Sequence, residues 1–504
     1  MSKIKRRDFL KSSALIGGAT LFNFKKLSIA SQLIEQKKPN FLFIICDQMV
    51  IDAISIYRNY FPDLAYTCHW TNTPNIDNLI ENSVSFIESH SSNPVCSPSR
   101  SCLFTGRMTV ETGVIHNNIG IDINVPNLGQ WLEDKTIYER VYCGKWHAGG
   151  QWNVPDVDGP RIVPGFDTLP NGPGDFGQFM DYGVAGAAEA YLRNHSNRNP
   201  FLLVASFMDP HDICFWGPPI NEGRNRGWDF FNLGNKLPVL PPNQNYSFKE
   251  IWHDAIPKSE LDDMKWKNYL YDYGRMVERI DNYVGRLLKA VHDRGDDTIV
   301  IFTSDHGDGQ GRHRRVEKWH PYQDSIKVPL IVYGPKFGIR KNVVDTEHLV
   351  HGTDIVSTIC DYAGIKPPPN ARGYSLRPLV EGRKAVNWRD NVYIELQETG
   401  RIIRTKQYKY VMAYKKSKKS DQKTLESVFL TKDGKASEFI PGEGRKFQEV
   451  PVKMLFDIKN DPWETVNLAE KDGYKKIIEE HEYILRNEWE NKLIPGHHFT
   501  RDYK

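Results

Sequence analysis

Three long apolar runs restrict the fold of this chain more than any other feature. Phe41-Leu42-Phe43-Ile44-Ile45-Cys46, Phe201-Leu202-Leu203-Val204-Ala205 and Thr298-Ile299-Val300-Ile301-Phe302-Thr303 show no polar–apolar alternation. A strand with one solvated face alternates. An unbroken run describes a strand covered on both faces, as in a parallel sheet between helices. The runs give way to titratable residues: Asp47-Gln48, Asp209-Pro210-His211 and Ser304-Asp305-His306-Gly307-Asp308. A fourth run, Val141-Tyr142-Cys143, leads into Gly144-Lys145-Trp146-His147. Open α/β sheets place their ligand sites beyond the carboxyl ends of the strands. Four such endings predict an enzyme of α/β class with its site at one edge of the sheet.

Helical segments separate these strands. Thr73-Pro74-Asn75-Ile76-Asp77 carries capping residues ahead of Leu79 and Ile80. Between Leu261 and Arg294, Tyr269, Tyr273, Met276, Ile280, Val284, Leu287 and Val291 recur at three- and four-residue spacing, the stripe of a core-facing helix. From about residue 385 the texture changes. Asn391 to Glu395 and Tyr408 to Met412 read as short strands, and the Lys-rich 415–451 stretch as an exposed hairpin or excursion. Lys475 to Asn491 reads as a closing helix. A chain of 504 residues is too long for one ordinary core. The expected organisation is a catalytic domain over 38–384 and a smaller α+β domain with an antiparallel sheet over 385–504.

Residues 1–30 have the make-up of an export signal. Lys3, Lys5, Arg6 and Arg7 precede an apolar run from Ser12 to Phe24, and Ser28-Ile29-Ala30 offers a small-x-small cleavage site. Arg6-Arg7-Asp8-Phe9-Leu10-Lys11 resembles a bacterial twin-arginine signal, and a Sec signal is the alternative. Either predicts a periplasmic or secreted bacterial protein. The segment holds seven Lys/Arg and one Asp, so its removal takes 66 basic and 63 acidic residues to 59 and 62, and the net charge from +3 to −3. That leaves no global basic field for nucleic acid. No stretch reaches the roughly 20 apolar residues of a membrane span. The seven cysteines match no zinc framework and are sparse for a disulfide scaffold, so buried free thiols are expected.

Cys96-Ser97-Pro98-Ser99-Arg100 stands apart from this framework. Pro98 suits the first turn of a helix, with Cys96 and Ser97 just ahead of it, facing its unpaired N–H groups. An anion is favoured there and a thiol has a lowered pKa. Alone, the stretch describes a buried cysteine at a helix cap. Cys-x-Pro-Ser-Arg with the following Thr105-Gly106 resembles the signature of the formylglycine-dependent sulfatases, whose cysteine is oxidised after translation to an aldehyde. The similarity continues in order through Pro39-Asn40 to Asp47, Thr73 to Asp77, Gly144 to His147, Pro210-His211, Thr303 to Gly307 and Val328 to Ile331. It closes on Leu455-Phe456-Asp457, Asn460-Asp461-Pro462, Glu464-Thr465 and Asn467-Leu468. Two departures stand out: Gln48, where many members carry a second Asp, and Gln323, where Glu is common.

The resemblance implies an alkaline-phosphatase-like sandwich and an exported bacterial polysaccharide sulfatase. It implies formylglycine (3-oxoalanine) made from Cys96 by a formylglycine-generating or radical maturation enzyme. Oxygen-rich donors favour Ca²⁺ or Mg²⁺ over zinc, and the family implies Ca²⁺, held by Asp47, Asp305, His306 and residue 96. Gln48 either joins the ligands or shapes the pocket. By the same resemblance, Arg100, Lys145 and Lys318 clamp the sulfate, and His211 with Lys318 protonates the leaving oxygen. His147 takes a proton from the aldehyde hydrate as sulfate is expelled. The implied substrate is a sulfated oligo- or polysaccharide such as ulvan.

Each residue taken singly has a structural reading: an Asp after a strand caps a turn, and a lone buried His is satisfied locally. The ordered set is what favours chemistry. Arg312, His313, Arg314, Arg315, Lys318 and His320 form a basic cluster with two readings. It is either a solvated loop or a contact for neighbouring anionic groups of the glycan through His313, Arg314 and His320. Trp152, Trp216 and Trp228 either stack on sugars or are buried for packing. Two other functions share these motifs: a phosphonate monoesterase or phosphodiesterase of the same superfamily, and an inactive glycan-binding protein with Cys96 unmodified.

Overall fold

In the computed structural model, Asn40–Asp47 (β1) lies inside an eight-stranded sheet. The other strands are Val84–Phe86 (β2), Glu139–Gly144 (β3), Asp167–Thr168 (β4), Phe201–Pro210 (β5), Thr298–Ser304 (β6), Leu330–Tyr333 (β7) and Val343–Asp345 (β8), in the spatial order β4-β3-β5-β1-β6-β7-β2-β8. β1 is parallel to both neighbours, with Phe43 opposite Val204 on one side and Ile301 on the other. Among the described strands of this sheet only β7 runs against the rest. The structure describes residues 38–60, 71–117, 119–122, 124–148, 163–170, 176–195, 199–215, 237–246, 261–396, 400–413, 427–430, 436–440, 444–447 and 452–494. The expected export signal, Cys68, Trp152, Trp216 and Trp228 lie outside them.

Every residue of β1, β5 and β6 is buried, as the unbroken apolar runs predict. The pleat sends alternate side chains to opposite faces. Leu42 and Ile44 join one core with residues of the helices Gly177–Asn194, Asp263–Asp293 and Pro74–Glu81. Phe41, Phe43 and Ile45 join the other with residues of Cys96–Thr105, Leu128–Lys135 and Asp354–Ala363. Each such side chain contributes about 1.5–3 kcal/mol when fully buried, so neither face tolerates polar alternation. The long amphipathic segment forms a helix over Asp263–Asp293. The Asp262 side chain accepts from Lys265 N at 2.9 Å at its start, and the stripe from Tyr269 to Val291 is buried. Among the described residues no helix is long and apolar enough to cross a membrane. Cys46, Cys96, Cys102, Cys143, Cys214 and Cys360 are free thiols.

Near the C-terminus, Asn391–Leu396 (β9), Gly400–Thr405 (β10), Tyr408–Ala413 (β11) and Val452–Asp457 (β12) make an antiparallel sheet in that order. β10 escaped the sequence reading because Arg401 and Arg404 flank its single apolar pair, Ile402-Ile403. The expected hairpin within 415–451 is a three-stranded antiparallel sheet of Ser427–Leu430, Ala436–Ile440 and Gly444–Phe447. The closing helix is α-helical over Lys475–Tyr483 and continues as a π-turn and a 3₁₀ turn to Lys492.

A buried ion pair ties the second sheet to the catalytic edge. Lys409 on β11 pairs with Glu464, both almost wholly enclosed. Its Nζ also donates to Pro321 O at 2.5 Å, and Glu464 Oε2 accepts from Gln323 N at 2.8 Å. Burial holds the Lys409 ammonium below its ordinary value, with Glu464 opposing. Replacing Lys409 with Met leaves Glu464 buried without its cation, which costs about 3–5 kcal/mol. Urea unfolding should show that loss, and Glu464→Gln in the same chain should recover most of it. A loss below about 1 kcal/mol would show the pair to be dispensable.

Candidate active site

The strand endings meet where the apolar runs stop. Asp47 is the last residue of β1, Asp305 and His306 follow β6, Lys145 and His147 follow β3, and His211 follows β5. The helix Cys96–Thr105 points its N-terminus at them. It begins at Cys96, with extended Val95 as cap, so Cys96 and Ser97 are its first residues and do not precede it as expected. The reason is the bond from Ser99 N to Val95 O at 2.9 Å, which closes the first turn earlier than Pro98 suggests. Ser97 N donates to Asn117 Oδ1 at 3.0 Å.

Cys96 Sγ lies 3.2 Å from His306 Nε2 and 3.8 Å from Asp47 Oδ1. His306 Nε2 lies 3.6 Å from Asp47 Oδ1 and 3.7 Å from Asp305 Oδ1. One ligand atom from each of these four residues falls within 4.8 Å of all the others, and all four residues are buried. Two carboxylates out of water need cations. Arg100 gives Nε to Asp305 at 2.8 Å and Nη2 to Asp47 at 3.3 Å, while Nη1 bonds Lys145 O and Ser206 Oγ at 2.8 Å each. Lys145 Nζ adds a 2.5 Å pair with Asp47. Burial alone would raise the Asp47 carboxyl, but Lys145, His211, Arg100 and His306 hold it well below the usual range. Burial and Asp47 oppose a thiolate at Cys96, yet Lys145, Lys318 and His306 outweigh them and lower the thiol.

Lys318 enters from the loop after β6. Its Nζ donates to Gln48 Oε1 at 2.7 Å and lies 3.9 Å from Cys214 Sγ. Burial works against its charge, but Cys214, Cys96 and Asp47 raise its pKa. Gln48 gives Nε2 to Asp308 Oδ2 at 2.7 Å, and Tyr269 OH donates to the same carboxyl at 2.8 Å to Oδ1. Gln48 thus spans Lys318 and Asp308. His147 and His211 are both buried, and burial with the nearby Lys145 and Lys318 charges pushes each well below the ordinary histidine value. Sequence reasoning gave no place in the site to Ser206, Cys214 or Asp308, and read Tyr269 only as part of a core stripe. Asp308 stands in the β6 motif already singled out; the others reach the site only through the fold.

The basic cluster does not form a solvated loop. Arg312, His313, Arg314, Arg315, Lys318 and His320 are all buried. Arg312 pairs with Asp52 and lies over the Trp463 ring at 5.2 Å. The His313 ring stacks on Tyr322 at 3.9 Å, with Nδ1 2.7 Å from Tyr246 O and Nε2 3.1 Å from Asn243 Nδ2. A neutral ring donating from Nδ1 and accepting at Nε2 satisfies both bonds. Burial pushes His313 down to about 3, against about 6.5 in an unfolded chain. The unfolded state therefore binds a proton that the folded state refuses. This contribution is complete above pH 6.5 and is lost as pH falls toward 3, by up to about 1.4 kcal/mol per unit. Urea unfolding at pH 7 and pH 5 should show the decline, and His313→Gln should lessen it. A second expectation concerns Arg100→Gln, which strands two buried carboxylates and should destabilise by about 3–5 kcal/mol, read in the same assay.

The family model named Sulfatase matches residues 39–365, and the model named N-sulphoglucosamine sulphohydrolase, C-terminal, matches residues 311–432. A Delta 4,5-hexuronate-2-O-sulfatase of Bacteroides thetaiotaomicron is 29% identical over 483 residues, covering 89% of this chain and 88% of the relative. An Ulvan-active sulfatase of Formosa agariphila is 25% identical over 461 residues, covering 88% of this chain and 78% of the relative. Among solved structures, BT1596, a 2-O GAG sulfatase, aligns with a TM-score of 0.66 at 25% identity, over 91% of this chain and 94% of that one. A match of that extent, on an α/β fold whose strand ends converge on one buried polar site, makes the chain a member of the sulfatase family and a sulfuric ester hydrolase.

Proposed function

We propose that this sulfatase removes sulfate from a sulfated glycan, ulvan or a related polysaccharide, after export to the periplasm or beyond. It does so with formylglycine at position 96 and a bound calcium ion. The observation that carries this reading is the buried group of Asp47, Cys96, Asp305 and His306 with Lys145 and Lys318 beside it. The relatives named for a hexuronate 2-O-sulfate and for ulvan support a saccharide substrate.

The donor set fits a hard cation. Asp47 and Asp305 offer carboxylate oxygens and His306 a ring nitrogen, all within 4.8 Å of one another and of Cys96. Asp47, Asp305 and His306 would hold Ca²⁺ together with residue 96, and the ion would supply charge that activates an oxygen nucleophile. Formylglycine, installed by a formylglycine-generating or radical maturation enzyme, supplies that oxygen as its hydrate. Lys145 and Lys318 hold the sulfate oxygens as negative charge shifts toward the leaving group. Arg100 acts through Asp47 and Asp305, which take two of its donors, and Gln48 acts by aligning Lys318. His211 gives a proton to the departing sugar oxygen, and the charge of a bound sulfate ester offsets the depression of its pKa. His147 takes a proton from residue 96 as sulfate leaves.

The test is sulfate release from defined sulfated oligosaccharides by natively matured protein. Intact mass should show residue 96 lighter by H₂S less O. Cys96→Ala should lower kcat/KM by about 10³-fold or more, and chelation of calcium should abolish turnover reversibly. Failure on every sulfated glycan despite a confirmed aldehyde would overturn the reading. Faster hydrolysis of phosphonate monoesters than of sulfate esters would favour the phosphonate monoesterase assignment. An unmodified Cys96 in native protein would favour the glycan-binding one.

A further inference from the structure

Trp319 holds a backbone conformation that its residue type avoids. Its φ of 80° lies in the left-handed region, where a bulky side chain is an outlier that persists only when its surroundings impose it. Such residues gather at functional sites. The ring is not a core residue: Trp319 stays half-buried, and so does His116, whose ring it meets at 6.1 Å between centroids.

This aromatic pair is anchored on both sides of residue 96. Trp319 N donates to Pro94 O at 3.4 Å, two residues before Cys96. His116 Nδ1 lies 3.0 Å from Asn117 O, and Asn117 Oδ1 accepts from Ser97 N, immediately after Cys96. In sequence, Trp319 directly follows Lys318, which reaches Gln48 at the floor of the site. Asp47, Cys96, Lys145, His147, His211 and Lys318 are all buried. Trp319 and His116 are only half-buried, and their links to Pro94 and to Ser97 by way of Asn117 keep them beside this buried set. Partly exposed aromatic surface suits a sugar, which offers an apolar C–H face to a ring and hydroxyls to its edge.

We propose that Trp319, backed by His116, is the platform on which the sulfate-bearing saccharide ring lies, orienting its ester toward residue 96. The proposal rests on the sulfated-saccharide reading above.

Steady-state kinetics on a 2-O-sulfated Δ4,5-hexuronate disaccharide test it, with aldehyde content and melting temperature measured for each variant. Trp319→Asn removes the ring with a residue that tolerates left-handed backbone. KM should rise roughly tenfold or more, the scale of one lost ring contact, while kcat stays within about threefold. Trp319→Phe should recover most of KM. The competitive inhibition constant of inorganic sulfate should stay within about twofold. An unchanged KM in Trp319→Asn would overturn the platform alone. A parallel rise in the sulfate constant would also overturn it, showing that the ring only props Lys318. Wild-type protein that carries the aldehyde but releases sulfate from no sulfated disaccharide would remove the saccharide reading, and the platform with it.

Discussion

Arg100 bridges two carboxylates that would otherwise repel each other in a medium without water. Its Nε reaches Asp305 and its Nη2 reaches Asp47, while Nη1 is held by Lys145 O and Ser206 Oγ. The guanidinium therefore joins β1, β3, β5 and β6 through one planar group. Charge inside a protein is tolerated only when it is paired and hydrogen-bonded, and here that requirement also sets geometry. The four parallel strand ends must keep register for the bonds to form, so the sheet and the site stabilise each other. Lys145 and Lys318 bring two further cations to this edge, which suits an anionic ester.

The second sheet contributes through position rather than chemistry. Lys409 and Glu464 grip the segment Pro321–Gln323, three to five residues beyond Lys318 in the sequence. A loop with left-handed backbone at Gln310, His313, Arg314, Glu317 and Trp319 has no ladder of its own to define it. Buried contacts do so instead: Arg312 with Asp52, His313 with Tyr246 and Tyr322, and Gly309 N with Glu317 O. Lys318 owes its place to this framework.

Much of the candidate edge was legible in the sequence. The runs at β1, β5 and β6 lack alternation because both faces are buried, and the residues at their ends are polar because they face the ligand edge. The Asp263–Asp293 helix was legible from its stripe for the same reason of one-sided burial. β10 was not, because Arg401 and Arg404 are buried through ion pairs with Glu490 and Glu88, partners distant in sequence. The 312–320 stretch stayed open between a solvated loop and a glycan contact for a similar cause: Asp52, Trp463 and Tyr322, which pack against Arg312 and His313, are announced by no local pattern.

What the sequence alone determined was therefore the class of fold and the strand ends that carry titratable residues. Those follow from periodicity and from local steric rules. The tertiary structure decided how the charges are shared: that Arg100 serves Asp47 and Asp305, and that Gln48 spans Lys318 and Asp308. Pairing of buried charge depends on which side chains meet in three dimensions, and chain order carries that information only through the fold.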